Sequence, residues 1–194
     1  MHSLNEYIDQ FFSTAASALQ RENEILEEHF AGCEKLFGIY QNVHHGIWVL
    51  YETTMVYLVF RKLLETRFPY EIRWEEPYPH QKQEKADLAL KQEGNVKAYI
   101  EFKIWESPDA KEIKSDLRKM EPYLSGEIRG FIFVVWRENG DGCEKLNWLQ
   151  KECNLYLSKP GHKYDFQTLC FQDGQKRKMK IILAFLEMQR KTKD

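Results

Sequence analysis

The chain has 194 residues, 43% hydrophobic and 30% charged, which is enough apolar material for one compact domain and too much for wholesale disorder. Ten glycines and six prolines with no repeat exclude collagen-like and mucin-like chains. Lys and Arg total 28 against 30 Asp and Glu, a net charge of -2, so nothing global draws the chain to nucleic acid or to an anionic membrane, and any phosphate-binding surface has to be local.

Ser3 and Glu6 have capping-box spacing, and Leu4, Ile8, Phe11, Phe12, Ala15 and Leu19 recur with a period of 3.6, so the chain opens with a helix. Further along, Glu22, Glu24, Glu27 and Glu28 take the solvent side, with Ile25, Leu26 and Phe30 inward. A second helix is predicted to begin between Gly38 and Gly46 and to run to Phe68, before Pro69; its centre, IWVLYETTMVYLVF, is apolar on nearly every side, as for a helix packed between other elements. The start, MHSLNEYIDQFF, lacks the basic region and apolar run of a signal peptide. The longest apolar stretch, Ile47 to Phe60, is interrupted by Glu52 and too short to span a bilayer, so no membrane partner and a cytoplasmic location are expected. Cys33, Cys143, Cys153 and Cys170 show no zinc spacing and are expected to be free thiols.

After Pro69 the period changes. Tyr70 to Trp74 reads as a strand and EEPYPHQKQEK as a polar connection. KADLALKQ and NVKAYIEFKIW alternate with period two about Glu93-Gly94-Asn95 and predict a β-hairpin. Ser107-Pro108-Asp109 is a helix entry, Ile113, Leu117, Met120 and Leu124 form the apolar stripe, and Ser125-Gly126 stops it. Arg129 to Trp136, RGFIFVVW, reads as a strand buried on both faces, so strand, helix and strand imply a parallel crossover. Cys143 to Leu157 fits a helix. In the last region Asp173-Gly174 could turn a hairpin, but a closing helix over Met179 to Met188 is preferred. The expected architecture is a single α/β domain: a helical extension over 1–45, a core over 47–136 and C-terminal elements over 143–194.

Asp87, Glu101 and Lys103 carry the chemistry. Glu101 and Lys103 are two apart on a strand and point the same way. A three-residue loop at Glu93-Gly94-Asn95 pairs Asp87 with Glu101, about 5 Å apart at Cβ. A strict two-residue loop changes the parity unless a bulge restores it. Two carboxylates and an ammonium make a poor core, since like charges raise each other's energy. A hard divalent cation such as Mg²⁺ relieves that repulsion and can activate water toward phosphorus.

This arrangement, KAD at Asp87 then EFK at Glu101-Phe102-Lys103 on successive strands, resembles the PD-(D/E)XK nuclease superfamily. The resemblance covers roughly residues 47–136 and implies a restriction-endonuclease-like mixed sheet flanked by helices, with an αβββαβ core. It departs at Ala86, where the eponymous proline would stand. By resemblance, Asp87 and Glu101 bind Mg²⁺, with Mn²⁺ as a substitute, Lys103 positions and activates water, and DNA is the substrate. Glu52, the one charged residue between Ile47 and Phe60, matches the additional acid that family members often place on the preceding helix, as a further catalytic and metal residue. A homodimer would suit a double-strand cutter. The rival expectation is a non-catalytic nuclease-like module that binds DNA or protein.

Other polar groups read as surface. Glu65 stands among Arg61, Lys62 and Arg67; Glu75 and Glu76 read as a solvated strand end, and His80 and Gln81 as loop. His44-His45 lacks a third ligand at zinc spacing. Lys111, Lys114, Arg118 and Lys119, mixed with Glu112, Asp116 and Glu121, read as a solvated helix face, and Gln175-Lys176-Arg177-Lys178 as a solubilising basic run with a phosphate contact as the alternative.

Overall fold

The computed structural model describes residues 4–31, 42–44, 46–106, 110–138, 142–172 and 175–189. Helix α1 (Leu4–Ala31), strand β1 (Asn42–His44), a 3₁₀ turn (Ile47–Val49) and helix α2 (Glu52–Glu65) come first. Strands β2 (Glu71–Tyr78), β3 (Gln81–Gln92) and β4 (Asn95–Ile104), helix α3 (Lys111–Met120) and strand β5 (Arg129–Glu138) follow. Helix α4 (Cys143–Cys153) and strands β6 (Leu155–Leu157), β7 (Lys163–Gln172) and β8 (Gln175–Met188) complete the order. The strands form one mixed sheet in the order β1-β7-β8-β5-β4-β3-β2, with β6 also on β8; β4 and β5 pair in parallel and the other pairs are antiparallel.

Helices cover both faces. Ile8, Phe11, Phe12, Ala15 and Leu19 of α1, with Met55, Val56, Val59 and Leu63 of α2, share one core with Phe131, Phe133 and Phe185 of the sheet. Ile113, Leu117 and Met120 of α3 and Leu149 of α4 meet Ile132, Val134 and Trp136 on the other face. Helix α1 is therefore a wall of the main core. No described helix is long and apolar enough to cross a membrane.

The closing helix expected over 179–188 is strand β8, hairpinned to β7. Ile181, Leu183 and Phe185 enter the α1/α2 core while Ile182, Ala184 and Leu186 enter the other. A strand buried on both faces loses the polar alternation that would separate it from a helix. The helix expected to reach Leu157 ends at Cys153, because Asn154 turns left-handed (φ 54°) and its amide closes on the Leu149 carbonyl; β6 follows. The polar connection expected over 75–85 is mostly strand, with Pro77 tolerated because β2 is the sheet edge. Helix α2 starts later than expected, at Glu52, after the 3₁₀ turn. The helix entry at 107–109 lies outside the described residues, as do His45 and Cys33; Cys143, Cys153 and Cys170 are free thiols.

The β3–β4 hairpin turns on two left-handed residues, Glu93 (φ 52°) and Gly94 (φ 78°), with Gln92 opposite Asn95. The register then shifts: Lys91 faces Val96 but Leu90 faces Ala98, which leaves Lys97 as a bulge. That extra residue restores the parity, and Leu88 faces Ile100.

Candidate active site

Past Leu88 and Ile100 the two strands part: β3 continues against β2 alone, and β4 against β5. The amides of Phe102 and Ile104 emerge on the same edge of β4 and bond to carboxylates in place of a strand. Phe102 N donates to Asp87 Oδ2 at 2.7 Å, and Ile104 N to Glu52 Oε2 at 3.1 Å. Each acid thus replaces a missing rung, Asp87 from β3 and Glu52 from the first turn of α2.

Continuing the register by one residue sets Asp87 opposite Glu101, close enough for each carboxyl to shift the ionisation of the other. Glu101 is 4% exposed, and Tyr78 Oη donates to its Oε1 at 2.6 Å. Lys103, two residues on, is held from both sides: Nζ lies 3.1 Å from Glu52 Oε1 and 3.0 Å from Asp116 Oδ2. Asp116, 5% exposed, also takes Lys119 Nζ at 2.6 Å.

Burial sets the electrostatics. It pushes the Glu101 carboxyl up to about 8, aided by the charge of Asp87 and opposed by the Tyr78 bond. Burial also raises Asp87, against the Phe102 amide, and raises Glu52, against the charge of Lys103. For Lys103 burial favours the neutral amine, but Asp116 and Glu52 outweigh it and the ammonium is held well above its ordinary range. Tyr78 is pushed up by burial and by the charge of Glu101, so its phenol stays a donor.

Four carboxyl groups, of Glu52, Asp87, Glu101 and Asp116, therefore meet two ammonium groups, of Lys103 and Lys119. Fully ionised, the cluster carries two surplus negative charges; a proton on Glu101 reduces the excess. Among the described residues no group of three or more His, Cys, Asp and Glu is placed to hold a metal. The Asp87–Glu101 pair does suit Mg²⁺, which takes one or two carboxylates and completes its shell with water and substrate oxygens. Both oxygens of Glu52 are engaged, by Lys103 and Ile104, so as folded it holds the lysine.

The structure brings Asp87, Glu101, Lys103 and Glu52 together and keeps the other polar candidates apart. Glu75 pairs with Lys85 at 2.8 Å, Glu76 with Lys91 at 3.1 Å, and Glu65 with Arg61 at 2.9 Å. His80 and Gln81 sit exposed beyond the end of β2, Lys114 lies over the Trp148 ring, and Arg177 and Lys178 are exposed on β8. A cleft of about 340 Å³ between the end of β4 and the start of α3 is lined by Lys103, Trp105, Lys111 and Glu112. Three members of the cluster escaped the sequence reading of the site: Tyr78, Asp116 and Lys119. For Asp116 a signal existed, since it falls between Ile113 and Met120 on the apolar stripe of α3. Comparison with family models, with curated proteins and with solved structures finds no match.

Proposed function

We propose that the protein is a Mg²⁺-dependent nuclease that hydrolyses DNA phosphodiester bonds at the split between β3 and β4. One observation carries this: Asp87 and Glu101 face each other in a recessed cluster of four carboxyls and two ammonium groups, and burial raises both acids, so a divalent cation between them would relieve their repulsion. The order α2-β2-β3-β4-α3-β5 supports it, being the order that the PD-(D/E)XK resemblance implies.

Asp87 and Glu101 would hold Mg²⁺, or Mn²⁺ in its place, which supplies charge stabilisation at phosphorus and lowers the pKa of water. The chain's own residues do the rest. Lys103 is an ammonium at neutral pH, so it acts by charge and by hydrogen bonding: it orients water and offsets charge building on the phosphoryl oxygens. Glu52 and Asp116 fix that ammonium in place, and Tyr78 fixes Glu101. Lys119 neutralises the second oxygen of Asp116.

The test is cleavage of single-stranded, double-stranded and branched DNA with and without Mg²⁺, beside Asp87→Ala, Glu101→Ala and Lys103→Ala. Each variant should remain folded and lose about 10²-fold or more in rate. Folded variants as fast as the parent overturn the reading. The double ion pairing of Lys103 favours a second reading, a nuclease-like module that binds DNA or protein without cutting. It predicts no heat of Mg²⁺ or Mn²⁺ binding by calorimetry and no cleavage of any substrate.

A further inference from the structure

Side chains two apart on a strand share a face, so Ile72, Trp74, Glu76 and Tyr78 of β2 should all point one way. Ile72 and Trp74 pack in the α1/α2 core, with Trp74 beneath Tyr57 and Phe60. Glu76 and Tyr78 lie on the opposite side. Glu76 pairs with Lys91 at 3.1 Å and its charge bears on Tyr99, while Tyr78 packs on Tyr99 and Tyr123 and reaches Glu101. The partner strand makes the same change, since Leu88 belongs to the α1/α2 core and Ala86 to the other. The β2–β3 ribbon therefore turns over along its length.

The register runs unbroken from Trp74 opposite Leu88 to Glu76 opposite Ala86, so the turn-over falls on the facing pair, Glu75 and Asp87. Glu75 has φ 53°, a left-handed backbone that a strand residue bearing a Cβ avoids. Its carboxylate is exposed and pairs with Lys85 at 2.8 Å, so what it gives the site runs through the main chain. Strain is thus held directly opposite an acid of the cluster. Extended backbone at Glu75 would leave Tyr78 on the face of Trp74, out of reach of Glu101.

We propose that Glu75 is a positioning residue of the acid cluster: its left-handed backbone turns the ribbon over, so that Asp87 meets the Phe102 amide and Tyr78 meets Glu101. That these acids serve cleavage rests on the nuclease reading; their placement does not. The test is amide hydrogen exchange of the full chain, followed by NMR without divalent cation or DNA. The Phe102 amide is the reporter, because its acceptor is Asp87 Oδ2. It should be slow in the parent and about ten-fold faster or more in Asp87→Ala. Glycine takes positive φ freely and a β-branched residue does not. Glu75→Gly should therefore keep Phe102 slow, and Glu75→Val should speed it by about ten-fold or more while the amides of β5 and β8 exchange as in the parent. Lys85→Met, which only unpairs the Glu75 carboxylate, should leave Phe102 slow.

A Glu75→Val chain that exchanges Phe102 as slowly as the parent overturns the proposal; if that variant does not fold, Glu75→Ala, milder at the same φ, takes its place. Glu75→Gly or Lys85→Met matching Asp87→Ala also overturns it, because the side chain would then be the device. With Mg²⁺ and DNA, Glu75→Val should lose kcat and keep KM. Exchange as expected in a chain that cuts nothing keeps the positioning role and loses the nuclease reading. A chain that cuts equally fast with Glu75→Val, its Phe102 amide still slow, keeps the nuclease and loses the positioning role.

Discussion

Glu101 ties the site to pH. Its folded pKa, about 8, stands above the ordinary value of 4.5, so between those limits the folded chain holds a proton that the unfolded chain releases. Without a divalent cation, stability should therefore fall as pH rises from about 4.5 to about 8, by an amount on the order of a few kcal/mol. Glu101→Gln should flatten that limb of a melting-temperature profile. Added Mg²⁺ should raise the melting temperature of the parent most at the alkaline end, where both carboxyls are ionised, and leave the variant nearly unmoved. Lys103 shows the other side of the balance. Lys103→Met removes the cation between Glu52 and Asp116, leaving them only the Ile104 amide and Lys119, and should cost about 3 kcal/mol in urea unfolding. Glu52→Gln in that background should recover part of the loss, since the pair is in direct contact. Asp87, Glu101, Lys103 and Glu52 were legible because charge is conspicuous in apolar or alternating runs. Asp116 was masked by the charges around it, although its place between Ile113 and Met120 on the apolar stripe marks it as inward.

At the scale of elements, the β3–β4 hairpin shows why register was only half legible. Sequence allowed a three-residue loop, or a two-residue loop with a bulge, to bring Asp87 to Glu101. The left-handed pair Glu93-Gly94 selects the shorter turn, and Lys97 supplies the extra residue. Nothing at Lys97 marks it in advance, since a bulge is set by what the far ends of both strands must pair with. The start of α2 is held by a different device. Asn23 of α1 accepts the Ile47 amide through Oδ1 at 3.0 Å and donates to the Gln167 carbonyl and to Glu27, tying α1, β7 and the entry to α2 together. Gly46 sits there at φ 85°, and a Cβ would run into Asn23 Oδ1 and Thr168 Oγ1. Gly46→Ala should cost about 1–3 kcal/mol or more from backbone strain alone, measured by chemical denaturation. Because α2 presents Glu52, the proposed nuclease activity should fall with the same change.

Across the whole molecule, α1 is clasped to the far end of the sheet. Asp9 bonds His162 Nε2 at 2.7 Å and also pairs with Lys159, while Ser158 Oγ reaches His162 Nδ1 at 2.6 Å. Burial holds the His162 imidazole below its ordinary range, against the pull of Asp9 and with Lys159 nearby. The unfolded chain therefore takes up a proton first as pH falls below about 6.5, and stability is lost on that side. Just below about 6.5 this opposes the Glu101 limb, so together they predict a flattened stability profile there and a fall with rising pH above it for the cation-free protein. His162→Gln should remove that opposition, so that stability keeps rising as pH falls below about 6.5 in the same melting profiles. The α/β class and the alternation of β4 were legible from periodicity. The two-sided strand β8 was not, because a run buried on both faces carries no period.

Tyr78 closes the end of β2, where β3 has β2 as its sole neighbour, and its ring stacks on Tyr123 at 5.1 Å. The phenol that caps Glu101 is thus carried on the tip of a two-stranded ribbon. Tyr78 is itself buried, so the edge strand of the sheet is also what keeps water from Glu101, and that dryness is what raises its carboxyl.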